Sequence, residues 1–152
     1  MIVVNRCSHP KDVIGATTFP VSSQDGPFET ATQSEDLDMQ VTVIGIGKMG
    51  LPMARHIATA GHAVVVYDNS AVARESAHAA GLQVVADLAS AVKQAEVVLS
   101  SLPHDDALLA VGAQVVANAS AQAIYVDTST VSMRASETCA EWCSSRGIAH
   151  VR

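Results

Sequence analysis

Basic residues, aromatics and cysteines are all scarce in this 152-residue chain, and each scarcity excludes something. Nine Lys and Arg stand against 15 Asp and Glu, a formal net charge of −6. That balance argues against nucleic acid or an anionic membrane as the main partner, since both are met by a basic face. No apolar run approaches the roughly 20 residues of a membrane span, and the start lacks a basic-then-apolar signal pattern. The three cysteines, Cys7, Cys139 and Cys143, cannot all pair within the chain, so a reducing, cytoplasmic setting is expected. Cys139 and Cys143 lie four apart, but no second pair supplies further metal ligands, and burial as small packing residues is the better expectation. The six histidines, His9, His56, His62, His78, His104 and His150, have no partner at a recognisable ligand spacing. Aromatics make up 3% of a chain that is 49% hydrophobic, so the core must be built from Val, Ala, Leu and Ile. Such a core suits a parallel sheet covered by Ala-rich helices.

Residues 1–38 differ in texture from the rest. Pro10, Pro20 and Pro27 interrupt each apolar run, and six acidic residues outnumber Arg6 and Lys11, giving this segment most of the net charge. It is too acidic for a transit peptide, and a poorly ordered leader, with at most a short strand at Ile2-Val3-Val4, fits best. Met39 directly precedes the first strand pattern, so the leader reads as an extension upstream of one domain over 39–152.

What is present is concentrated at one place. Val41-Thr42-Val43-Ile44 runs straight into Gly45-Ile46-Gly47-Lys48-Met49-Gly50, and a helical pattern begins on the last glycine. The next apolar strand, Ala63-Val64-Val65-Val66-Tyr67, ends on Asp68. Strand, G-x-G-x-x-G, helix, strand and acid in this order form the βαβ fingerprint of a dinucleotide site. Gly45 allows the tight turn, Gly47 lets a pyrophosphate approach the backbone, and Gly50 permits close packing. The unpaired N–H groups and positive dipole end of the helix receive phosphate charge, and Pro52 is tolerated in its first turn. Asp68 is expected to accept from the adenosine ribose hydroxyls. A carboxylate there repels a 2′-phosphate, so NAD is expected as cofactor rather than NADP, although Arg74 stands only six positions on.

Beyond Met39, strand and helix alternate with short loops. The patterns predict strands near 40–44, 63–67, 82–85, 96–101, 123–126 and 148–151. Helices are predicted over 49–60, 71–79, 88–94, 105–117 and 133–145, with Asp87 and Ser132 as N-caps and Asp105 or Asp106 opening the fourth. This is a Rossmann-type α/β fold, a doubly wound parallel sheet. Ligands of such a sheet lie beyond the carboxyl ends of the strands. The glycine loop, Asp68-Asn69-Ser70 and Ser101-Leu102-Pro103 should therefore face the cofactor. Asp127-Thr128-Ser129-Thr130 offers four side-chain oxygens after the fifth strand, either to a ligand or as a turn capping the next helix.

Taken in order, these segments resemble the β-hydroxyacid dehydrogenases, the family of 3-hydroxyisobutyrate dehydrogenase and tartronate semialdehyde reductase. The resemblance rests on Val43 to Ala54, with its Met49-Gly50-Leu51-Pro52-Met53-Ala54 extension, on Gly61-His62, on Ser101-Leu102-Pro103 and on the Asp127-Thr128-Ser129-Thr130 motif. It covers 40–152, departs at His56 where many members have Asn, and is shared in part by 6-phosphogluconate dehydrogenases and imine reductases. It implies that Gly45, Ile46, Gly47, Lys48, Met49 and Gly50 wrap the pyrophosphate of NAD, or of NADP. Asp68, Asn69 and Ser70 would then hold the ribose, Leu102, Pro103 and Thr130 lie along the cofactor, and Ser129 help bind a small hydroxyacid. It further implies homo-oligomeric full-length relatives with a helical domain that carries a catalytic lysine. The lysines here are Lys11, Lys48 and Lys93, none in a position to serve, so the chain alone is expected to be inactive. A free-standing dinucleotide-sensing module is the alternative.

Overall fold

A computed structural model describes residues 38–152. The expectations for the leader, including a strand at 2–4 and any role for Cys7, His9 or Lys11, lie outside those residues. Each apolar run forms a strand where predicted, within one or two positions: β1 (Gln40–Ile44), β2 (Ala63–Tyr67), β3 (Gln83–Val84), β4 (Val97–Ser100), β5 (Ile124–Asp127) and β6 (Ala149–Val151). All pair in parallel, in the order β3-β2-β1-β4-β5-β6. The order reverses between β1 and β4, so the switch point of this Rossmann-type sheet lies directly beyond Ile44 and Ser100.

The connecting helices are α1 (Gly50–Thr59), α2 (Ala71–Ala79), α3 (Leu88–Val92), α4 (Asp105–Asn118) and α5 (Met133–Ser145). Alternation along β1 separates two cores. Val41 and Val43 join Val64, Val66, Ala54 of α1 and Ala77 of α2 on one face. Ile44 joins Val98, Tyr125, Val92 of α3, Leu108 of α4 and Cys139 of α5 on the other. Small residues bring the helices close: a β-carbon on Gly112 of α4 would stand 2.7 Å from the Cys139 sulfur. Cys139 and Cys143 are both fully buried, and contact with Cys143 together with burial pushes the Cys139 thiol pKa up. They serve as packing residues, as expected.

Two helix starts held as predicted. Asp87 accepts from the Ser90 N–H at 2.8 Å, and Ser132 from the Ala135 N–H at 3.2 Å. The start of α4 at Asp105 also agrees, with a cap the sequence reading had not named. Its N-cap is His104, whose Nδ1 accepts from the Ala107 N–H at 3.2 Å, and neither Asp105 nor Asp106 caps it. Asp105 turns instead to the next helix and accepts from both the N–H (2.8 Å) and the hydroxyl (2.5 Å) of Ser132. Carboxylates at the first two helical positions favour the helix dipole without occupying the cap, which falls to the residue before them.

Candidate dinucleotide site

All six strands run the same way, so their carboxyl ends and the loops that follow share one edge. The first loop is shaped by two glycines. Gly45 has φ +82°, its N–H donates to the Tyr67 carbonyl at 3.0 Å, and a β-carbon on it would stand 2.3 Å from the Ser101 carbonyl oxygen. A β-carbon on Gly50 would meet the Gly45 carbonyl oxygen at 1.8 Å, so the loop closes on its own first turn. The close approach at Gly50 is thus to the loop, rather than to the strand as the fingerprint's general rule would have it.

Gly47 is different. Its φ is not in the left-handed region, and a β-carbon built on it meets nothing within 4 Å. Neither backbone strain nor internal packing calls for glycine there. The position faces open space at the start of α1, where Met49 provides no side-chain cap and the first turn holds no acid. The Leu51 and Met53 N–H groups are taken by the Gly47 and Met49 carbonyls and Pro52 has none, so what meets that space is the positive dipole end with the backbone of the loop itself, a setting that suits an anion. Lys48 and Met49 are exposed on either side of the approach.

Asp68 is bonded within the protein itself. One carboxylate oxygen accepts from the Ile46 N–H at 2.9 Å and the other from the Ser70 N–H at 2.8 Å. The acid therefore fixes the glycine loop to the β2–α2 turn. Ser70 caps α2 by accepting from the Ala73 N–H, and Asn69 and Ser70 are exposed. Arg74 reaches back to donate to the Asp68 main-chain oxygen at 2.6 Å. It thus lies beside Asp68 at the carboxyl end of β2 rather than out in solvent.

Across the switch point, the ends of β4 and β5 are laced together. The Ser100 hydroxyl donates to Asp127 Oδ1 at 2.6 Å and lies 3.0 Å from the Tyr125 hydroxyl. Ser129 donates its own hydroxyl proton to the same Oδ1 at 2.6 Å and accepts from the Leu102 N–H at 2.8 Å. Thr128 bonds to the Ser100 carbonyl through both its N–H and its hydroxyl. The tetrad thus forms an Asx-type turn, but Ser132 caps α5 in its place. Pro103 and Thr130 are exposed, and Leu102 is half-buried. Ser100 and Tyr125 were not anticipated. The available signals were a serine ending an otherwise apolar strand, and one of only two tyrosines in the chain.

Beside this lacing is a cavity of about 560 Å³, lined by Asp127, Thr128, Ser129, Met133, Ser136 and Arg152 among others. A smaller one, about 260 Å³, lies at the amino ends of β1 and β2 by Gln40, Ala63 and Gln94, away from the loop cluster. Lys93 follows α3 and leads toward the amino end of β4, so it too is remote from the loops.

The family model for the NAD binding domain of 6-phosphogluconate dehydrogenase matches residues 40–152. The probable 3-hydroxyisobutyrate dehydrogenase of Mycobacterium tuberculosis is 32% identical over 93 residues, which cover 61% of this chain and 32% of that protein. Among solved structures, the Mycobacterium tuberculosis 3-hydroxyisobutyrate dehydrogenase with L-serine superposes with a TM-score of 0.71 at 28% identity, covering 74% of this chain and 38% of that one. A Streptomyces aurantiacus imine reductase gives a TM-score of 0.65 at 26% identity, over 74% and 39%. The chain spans about a third of the length of the relatives it matches. With the glycine loop, the acid after β2 and the switch point all in place, the chain belongs to the nicotinamide-dinucleotide-binding family represented by the NAD binding domain of 6-phosphogluconate dehydrogenase.

Proposed function

We propose that residues 39–152 are the cofactor-binding domain of an oxidoreductase that moves a hydride between NAD and a small 3-hydroxyacid. The single observation that carries the dinucleotide reading is Gly47, a glycine that the protein's own geometry does not require and that opens onto the start of α1, where no side chain caps the helix. Gly45 to Gly50 would hold the pyrophosphate, and Asp68, Asn69 and Ser70 the adenosine ribose. When bound, the nicotinamide supplies the hydride chemistry. The chain's part is to orient it, with Leu102, Pro103 and Thr130 alongside and Ser129 at the substrate end.

NAD over NADP follows from the Asp68 charge. Arg74 keeps its positive charge while donating to the Asp68 carbonyl and works against this preference, so paired titration with both nucleotides decides it. The hydroxyacid substrate is supported by the resemblance around Asp127 to Thr130 and by the names of the relatives. Proton transfer from the substrate hydroxyl needs a general base. Among the described residues, Lys48 at the phosphate loop and Lys93 behind α3 are not placed for it, so the reading leaves that role to a group outside residues 38–152.

Calorimetric titration of the chain with NAD tests the proposal. Gly47→Val builds its side chain into the space before α1, where an added β-carbon meets nothing within 4 Å. Its circular dichroism should stay native, and NAD affinity should fall at least about tenfold, the equivalent of losing one or two charge-assisted hydrogen bonds. Unchanged affinity in a folded variant would remove the glycine loop as the phosphate site.

A further inference from the structure

The hydrogen bonds beneath the Leu102–Pro103 turn have a direction. Ser100 has a single hydroxyl proton and directs it to Asp127 Oδ1, so in the 3.0 Å contact between the two hydroxyls Tyr125, its phenol kept protonated by burial, is the donor. Ser100 passes its own proton to Asp127 Oδ1, and Ser129 does the same from the other side. The Ser129 N–H adds a longer contact to that oxygen, at 3.2 Å. Each hydroxyl proton is therefore committed toward one carboxylate oxygen. This leaves the Ser129 oxygen free to accept from the Leu102 N–H.

These side chains are not needed to pair the strands. Backbone register already holds Leu99 against Val126 and Ser100 against Asp127. What the chain of bonds adds lies past the strand ends, at Leu102, where no ladder reaches. Water cannot easily replace it, because Ser100 and Tyr125 are fully buried and Asp127 is 6% exposed. The turn it holds stands on the β4 side of the switch point, opposite Asp68. A dinucleotide lying across that point with its adenosine over β2 brings its other half to this turn.

We infer that Ser100, Tyr125 and Asp127 are positioning residues, a buried chain that acts through Ser129 to fix the Leu102–Pro103 turn against the nicotinamide half of the dinucleotide. This inference rests on the dinucleotide reading above, and ADP-ribose separates the two, since it is NAD without the nicotinamide. Calorimetry on the whole chain would compare NAD and ADP-ribose for the wild type, Asp127→Ala, Ser100→Ala and Ser129→Ala. The wild type should prefer NAD. The variants should lose about three- to tenfold of NAD affinity while ADP-ribose binding stays within about twofold, the loss expected when one or two hydrogen bonds stop fixing a contact. Asp127→Asn keeps one acceptor and should fall between. Ser129 is half-exposed, so Ser129→Ala keeps the comparison available if Asp127→Ala costs the fold. A wild type that binds neither ligand would defeat the dinucleotide reading itself. Equal wild-type affinity for both ligands would overturn only the positioning inference. So would variants that lose both in proportion, since the chain would then be holding the fold and nothing more.

Discussion

Asp68 serves two purposes at the scale of single residues. As a carboxylate it should favour NAD, and as an acceptor it holds the N–H groups of Ile46 and Ser70. Asp68→Ala should therefore narrow the gap between NAD and NADP affinity, read by paired titrations, and also lower stability. Two charge-assisted hydrogen bonds at a half-exposed site suggest a loss of about 2 kcal/mol, measurable by urea unfolding. Asp68→Asn retains one acceptor oxygen and should cost about half as much. A variant of unchanged stability would mean that these bonds contribute little. The acid's place after β2 was legible in the sequence, because the fingerprint fixes its order. Its second role was not, since which N–H groups a carboxylate reaches depends on how the loop folds back. Ser100 was invisible for a similar reason: its partners lie 25 and 27 positions away, on a strand that becomes its neighbour only in the folded sheet.

The elements were readable because hydrophobic period and β-branched runs are local properties. The strands from Val41 and Ala63 needed nothing from elsewhere in the chain. Caps were less readable. Asp105 could not be recognised as a link between helices, because its partner Ser132 is 27 residues on. That link should be acid-sensitive. Bonding to Ser132 holds the Asp105 pKa below the ordinary carboxylate value. A lowered folded-state pKa contributes stability that is present above the unfolded value and lost as pH falls through the folded one. The starts of α4 and α5 should then separate below about pH 4, the ordinary range of a free Asp. The Ser132 amide followed by NMR should report it, moving in wild type with a midpoint under the free-Asp value and staying flat in Asp105→Asn. A midpoint at or above that value would contradict the lowered pKa.

Across residues 38–152, the six strands gather every candidate ligand contact on one edge, so the proposed binding and the folding of the sheet would share the same loops. Saturating NAD should raise the melting temperature by mass action, at 100 times Kd equivalent to about 2.7 kcal/mol. The same preparation should show no steady-state reduction of NAD with 3-hydroxyisobutyrate or glycerate, followed by absorbance. Measurable turnover by this chain alone would mean that the proton acceptor lies within it. The substrate was the least legible property, since a pocket assembled from distant loops leaves no compact signature and the chain spans about a third of its relatives. The carboxylate bridging Ile46 and Ser70 also has an evolutionary consequence. Any lineage that drifts toward the phosphorylated cofactor must first weaken the brace of its own phosphate loop. Such a drift should pass through Asn at this position, or wait until mutations elsewhere have accumulated stability to spare.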